Sequence, residues 1–129
     1  MLNNQKHTLL LADELAMVRE GIGKLCEATG LFRIAGQCGD GATALEMLQE
    51  IRPDLAVIDI GLPKVYSLEL IRHLKEHKLD TKFVVLAAKG DRKMALEALR
   101  CGASAFVLKS GGGDQLLEAL HQVDRKSVV

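Results

Sequence analysis

Asp13 and Glu14 follow one short apolar run, Asp59 ends another, and Lys109 follows a third. Carboxylates brought together repel one another and raise each other's pKa unless a cation sits among them. Oxygen donors of this kind suit Mg²⁺, which takes one or two carboxylates and keeps places for water or a phosphate oxygen. A carboxylate is also a nucleophile toward phosphorus and yields an acyl phosphate. A lysine beside Mg²⁺ would neutralise charge on the transferring phosphoryl group. Aspartyl phosphorylation is therefore the chemistry these residue types allow.

The runs that carry these residues recur along the chain at 8–12, 32–38, 55–58, 83–88 and 105–108. Four are almost unbroken, as expected for strands covered on both faces of a parallel sheet, while Arg33 and Gln37 interrupt the second and mark it as an edge. Helical spacing fills the gaps. Val18, Ile22 and Leu25 lead to Gly30; Ala44, Leu45, Leu48 and Ile51 follow Asp40 or Gly41 and precede Pro53. Leu70, Ile71 and Leu74 mark a third helix, Ala95, Ala98 and Leu99 a fourth ending before Gly102, and Leu116, Leu117, Leu120 and Val123 a fifth. Strict alternation predicts a flavodoxin-like (βα)5 fold: a doubly wound parallel sheet in the order 2-1-3-4-5 with helices on both faces. Ligands of such sheets bind beyond the carboxyl ends of the strands where the order reverses, which is where Asp13 and Asp59 would meet.

Composition narrows the function classes. The 129 residues carry 17 Lys+Arg against 17 Asp+Glu, and aromatic content is 3%, which argues against a broad nucleic-acid surface. No apolar stretch approaches the roughly 20 residues of a membrane helix. The polar segment from Met1 to His7 lacks a secretory signal, so a soluble cytoplasmic chain is expected. Cys26, Cys38 and Cys101 have no Cys-x-x-Cys spacing and read as reduced, mostly buried thiols. One domain is expected over 1–123, with the charged, aperiodic 124–129 as a tail or the start of a linker.

Three segments together carry a resemblance: Leu-Leu-Leu-Ala-Asp-Glu at 9–14, Val-Ile-Asp-Ile-Gly-Leu-Pro at 57–63 and Gly-Ala-Ser-Ala-Phe-Val-Leu-Lys at 102–109. The chain resembles the receiver domain of two-component response regulators over roughly residues 8–123. Met-Val-Arg-Glu-Gly-Ile at 17–22 and the Gly-Ala-Ser run are most like the LuxR-type (NarL/FixJ) branch, whose members usually carry a carboxy-terminal helix-turn-helix domain not found in this chain. The resemblance implies that Asp59 is the phosphoacceptor. Asp13 and Glu14 would hold Mg²⁺ directly or through water, Gly61 would add its backbone carbonyl, and Lys109 would contact a phosphoryl oxygen. Phe106 matches the aromatic whose rotation reports phosphorylation. The implied partners are a sensor histidine kinase or phosphotransfer protein and a second copy of the chain. Such a homodimer would form through the fourth helix, fifth strand and fifth helix, or through the first and fifth helices. DNA would be reached only through the output domain.

Departures from the family pattern bear on the switch. Ala87 stands where the family has Thr or Ser, so no hydroxyl there can bond the phosphoryl group, a loss on the order of 1.5 to 3 kcal/mol. Ser110 replaces a frequent proline after Lys109, Ser67 stands where glycine is common, and Lys89 adds a cation near the rim. The leading expectation is a phosphoacceptor receiver, a substrate and switch more than an enzyme. The alternative is a degenerate receiver that docks partners without phosphorylation. A flavin carrier and a metal-dependent phosphatase rank below both, because the first loop is acidic and no second acid is placed to protonate a leaving group.

Other motifs read as ordinary structure. His73 to His77 fits His-x-x-Glu-His, but the helix is short and offers no third ligand, so solvent-facing histidines are expected. Gly21-Ile22-Gly23-Lys24 lacks the full Walker spacing, and Gly111-Gly112-Gly113 reads as a flexible lead into the last helix. Arg72, Lys75, Glu76 and Lys78 read as a solvated helix face.

Overall fold

The structure, a computed structural model, describes residues 6–126. Strands β1 (His7–Ala12), β2 (Phe32–Cys38), β3 (Leu55–Asp59), β4 (Lys82–Ala87) and β5 (Ala105–Leu108) alternate with helices α1 (Ala16–Ala28), α2 (Gly41–Ile51), α3 (Ser67–Glu76), α4 (Arg92–Cys101) and α5 (Gly112–Lys126). The sheet is parallel throughout and runs β2-β1-β3-β4-β5. This is the flavodoxin-like order expected from the sequence. Ala12 pairs with Ile58, so β1 and β3 reach their carboxyl ends side by side.

Side-chain alternation explains the unbroken apolar runs. Leu10, Ala12, Ala56, Ile58, Phe83 and Val85 share one core layer with Ala44 and Leu48 of α2, Leu70, Ile71 and Leu74 of α3, and Ala98 of α4. Leu9, Leu11, Leu55, Val57, Val84 and Leu86 face the other way, onto Cys26 of α1 and Leu116, Leu120 and Val123 of α5. With both faces covered, neither parity of a central strand can be polar. Strand β2 lies at the edge, and its Arg33 and Gln37 are exposed, as their polarity indicates.

Local chemistry sets the boundaries. Asp40 caps α2 by accepting from the Thr43 amide at 2.7 Å, and Asp91 caps α4 by accepting from the Met94 amide at 2.9 Å. Gly102 ends α4 at φ 116°, a conformation that favours glycine.

Three expectations change. Helix α5 runs to Lys126, beyond the Asp124 where the sequence places the start of a tail, and Asp124 pairs with His7 Nδ1 at 3.2 Å. The segments 1–5 and 127–129, on which the reading of a polar amino end and the last part of the tail rest, lie outside the described residues. The glycine run is not a flexible lead: Gly111 closes the 3-10 turn that begins at Lys109, and Gly112 and Gly113 are the first residues of α5. A methyl group on Gly113 would collide with the Leu25 side chain, so its absence lets α5 approach α1. Lys75 is not solvated: it is half-buried, its Nζ donates to the Thr81 carbonyl at 2.6 Å, and it lies 5.6 Å from the Phe83 ring centre. Its aliphatic stem lets it cover apolar surface while the ammonium serves a loop carbonyl.

His73 and His77 are exposed, as expected, with ring centres 4.3 Å apart. Cys26 and Cys38 are buried and Cys101 is half-buried, all three free. Among the described residues no helix is long and apolar enough to cross a membrane.

Candidate functional site

One ammonium joins two strand ends. Lys109 Nζ lies 2.8 Å from Asp59 Oδ1 and 3.0 Å from Asp13 Oδ2. Asp13 follows β1, Asp59 ends β3, and Lys109 follows β5 in a 3-10 turn, so the sheet topology brings together residues that are remote in sequence. Asp13 Oδ1 accepts from the Leu15 amide at 2.9 Å, and Asp59 Oδ2 accepts from the Gly61 amide at 3.0 Å. Burial works against the Lys109 charge, but the hydrogen bonds and attraction of Asp59 and Asp13 outweigh it and hold the ammonium above the usual lysine value.

Glu14 stands apart from this pair. It is exposed, and no three His, Cys, Asp or Glu side chains among the described residues are grouped to hold a metal. Both residues follow the last residue of β1, Asp13 buried and Glu14 exposed in the bend that leads to α1. The site nevertheless suits Mg²⁺ in donor type. Asp13 Oδ2 is buried and, beyond its ion pair with Lys109, lacks a hydrogen-bond partner among the described residues. Asp59 is a second carboxylate, and the ion ordinarily keeps several waters. Gly61 is exposed beside Asp59.

Loops around the carboxylates are braced by groups that residue type alone does not reveal. Ser67 Oγ donates to the Asp59 carbonyl at 2.6 Å, and Arg19 Nη1 donates to the Asp13 carbonyl at 2.6 Å. The Gly41 amide donates to the Pro63 carbonyl at 2.9 Å, while Lys64 lies 3.9 Å from Asp40 Oδ2. The Thr43 amide, aided by its hydroxyl and Lys64, holds the Asp40 carboxyl below its ordinary value against desolvation. The sequence signals for these braces are weak, because Arg19, Ser67 and Gly41 act on backbone groups.

Ala87 is fully buried at the end of β4. Phe106 is half-buried, and its ring lies over Gly90, where a methyl group would stand 2.7 Å from Phe106 Cζ. Gly90 therefore gives the ring its place against the loop after β4. No peptide bond among the described residues is cis, so the bond from Lys109 to Ser110 is trans.

Residues 9–121 match the response regulator receiver domain family. A "Putative transcriptional regulator" of Pseudomonas aeruginosa is 39% identical over 115 residues, covering 89% of this chain and 55% of the relative. The nitrate/nitrite response regulator protein NarL of Escherichia coli is 30% identical over 122 residues, covering 95% of this chain and 56% of the relative. The chain thus spans about half the length of these curated relatives. A two-component response regulator of the LuxR family from Aurantimonas sp. SI85-9A1 superposes with a TM-score of 0.87 at 26% identity, over 92% of this chain and 85% of that one. With a receiver-type sheet, strand-end carboxylates joined by a lysine, and a family match across nearly its whole length, the chain belongs to the response regulator receiver domain family.

Proposed function

We propose that Asp59 is the phosphoacceptor of a cytoplasmic two-component signalling step. The observation that carries this reading is the Lys109 ammonium shared by Asp13 and Asp59 at the topological switch point. An Asp59 carboxylate oxygen attacks the phosphorus of a phosphohistidine on a sensor histidine kinase or phosphotransfer protein. The P–N bond breaks, its electron pair stays with the imidazole, and an acyl phosphate forms on Asp59. Lys109 offsets charge on the phosphoryl oxygens, and the Gly61 amide orients the carboxylate. Asp13 and Asp59, with the Gly61 carbonyl and with Glu14 through water, would hold Mg²⁺, which supplies further charge neutralisation. The name of the Pseudomonas aeruginosa relative supports transcriptional control as the output; on this reading DNA would be reached through a separate output domain.

Ala87 favours a second reading, a module that docks partners independently of phosphorylation. Intact mass after incubation with Mg²⁺ and acetyl phosphate distinguishes the two, with Asp59→Asn as control and light scattering to follow assembly. One phosphoryl group on the wild type and none on the variant supports the phosphoacceptor reading. An unmodified wild type overturns it in favour of docking.

A further inference from the structure

Arg19 lies in the first turns of α1, yet its guanidinium folds back over the carboxyl end of β1. Nη1 donates to the Asp13 carbonyl at 2.6 Å and reaches the Glu14 carbonyl at 3.4 Å. Gly39 completes the cradle: a methyl group there would stand 3.3 Å from Nη1 and 3.7 Å from each of the same two oxygens. Arg19 Nε is buried without a hydrogen-bond partner among the described residues, and Arg19 shares with Asp13 the lining of a narrow void that has no room for water. A cation near a helix amino end is opposed by the helix dipole, and ordering so long a side chain costs entropy. The two loop carbonyls are what offset those costs.

We infer that Arg19 is a positioning residue for Asp13. It clamps the main chain of the turn after β1, while the Leu15 amide ties Asp13 Oδ1, and together they aim Oδ2 at Lys109 and the place where a cation would sit. Its consequence for Mg²⁺ rests on the phosphoacceptor reading.

The test compares Arg19→Met, which keeps the stem and removes the donors, with Arg19→Lys, which restores a donor. Exchange of the Leu15 amide is read by NMR, and Mg²⁺ alone is titrated by calorimetry. Arg19→Met should speed Leu15 exchange and weaken Mg²⁺ binding, each about tenfold, and Arg19→Lys should recover most of both. A folded Arg19→Met with wild-type exchange, or an Arg19→Lys no better than Arg19→Met, overturns the assignment. If Arg19→Met does not fold, Arg19→Gln, which stays polar but is too short to reach the Asp13 carbonyl, replaces it, and unchanged Leu15 exchange in that variant overturns the assignment equally. A wild type that binds no Mg²⁺ while exchange still responds marks failure of the phosphoacceptor reading, with the clamp on Asp13 upheld.

Discussion

Ser67 Oγ donates to the Asp59 carbonyl at 2.6 Å and ties the first residue of α3 to the last residue of β3. Ser67 is fully buried, so Ser67→Ala leaves that carbonyl without its hydroxyl partner where water does not replace it. A loss of about 1 to 2 kcal/mol is expected. Urea unfolding of the two proteins checks it, and a midpoint unchanged in the variant would contradict this account of the serine.

Lys109→Met should destabilise the protein at neutral pH by roughly 1 to 2 kcal/mol, because Asp13 and Asp59 then face each other without a cation; partial exposure of Lys109 keeps the figure below that of a fully buried pair. The Lys109 pKa is raised in the folded state. Its contribution is therefore full below the unfolded lysine value and is lost as pH rises through the higher folded value. Stability curves above pH ~10.5 should fall more steeply for wild type than for Lys109→Met.

The fold is legible because both-face burial leaves a simple mark: the middle residues of β1, β3 and β4 are apolar at every parity, while β2 shows Arg33 and Gln37. Topology then places Asp13, Asp59 and Lys109 together from their positions at strand ends. The different burial of Asp13 and Glu14 is harder to read, because both lie in the turn after β1, where strand periodicity no longer says which side chain faces inward. Arg19 and Ser67 leave no signal as braces because their partners are carbonyls, which every residue has. Lys75 looks solvated in the sequence because residue type does not show where a flexible stem lies.

Gly41→Ala should loosen the loop after Asp59. An added methyl would stand 2.5 Å from the Val65 carbonyl oxygen and 2.7 Å from Val65 Cβ, so backbone must move, and the bond from the Gly41 amide to the Pro63 carbonyl is then strained. A cost of about 1 to 3 kcal/mol follows from overpacking. Thermal unfolding measures it, and a variant as stable as wild type would show that the loop yields freely.

Asp40 couples α2 to acid. Its folded pKa is lowered, so its contribution is present above the unfolded aspartate value near 3.8 and is lost as pH falls through the lower folded value. Asp40→Asn keeps an oxygen that can cap Thr43 but does not titrate. Wild type should therefore lose stability more steeply than Asp40→Asn below pH ~4, as followed by circular dichroism. Parallel acid curves would remove Asp40 from the acid response.

On the phosphoacceptor reading, Ala87→Ser tests whether a hydroxyl at the end of β4 would couple Asp59 to the loop that follows. Position 87 is fully buried, and a serine there adds one oxygen with little volume, so folding should survive provided the hydroxyl finds a backbone acceptor. Asp13, Asp59 and Lys109 are untouched, and the rate of modification by acetyl phosphate should stay within about twofold of wild type. Once Asp59 carries a phosphoryl group, the new hydroxyl has a charged partner, an interaction on the order of 1.5 to 3 kcal/mol available only in that state. That difference should draw the loop after β4 inward and shift Phe106 from its place over Gly90, increasing the change in oligomeric state seen by light scattering. Equal responses from wild type and Ala87→Ser would mean that the read-out of this chain does not pass through position 87.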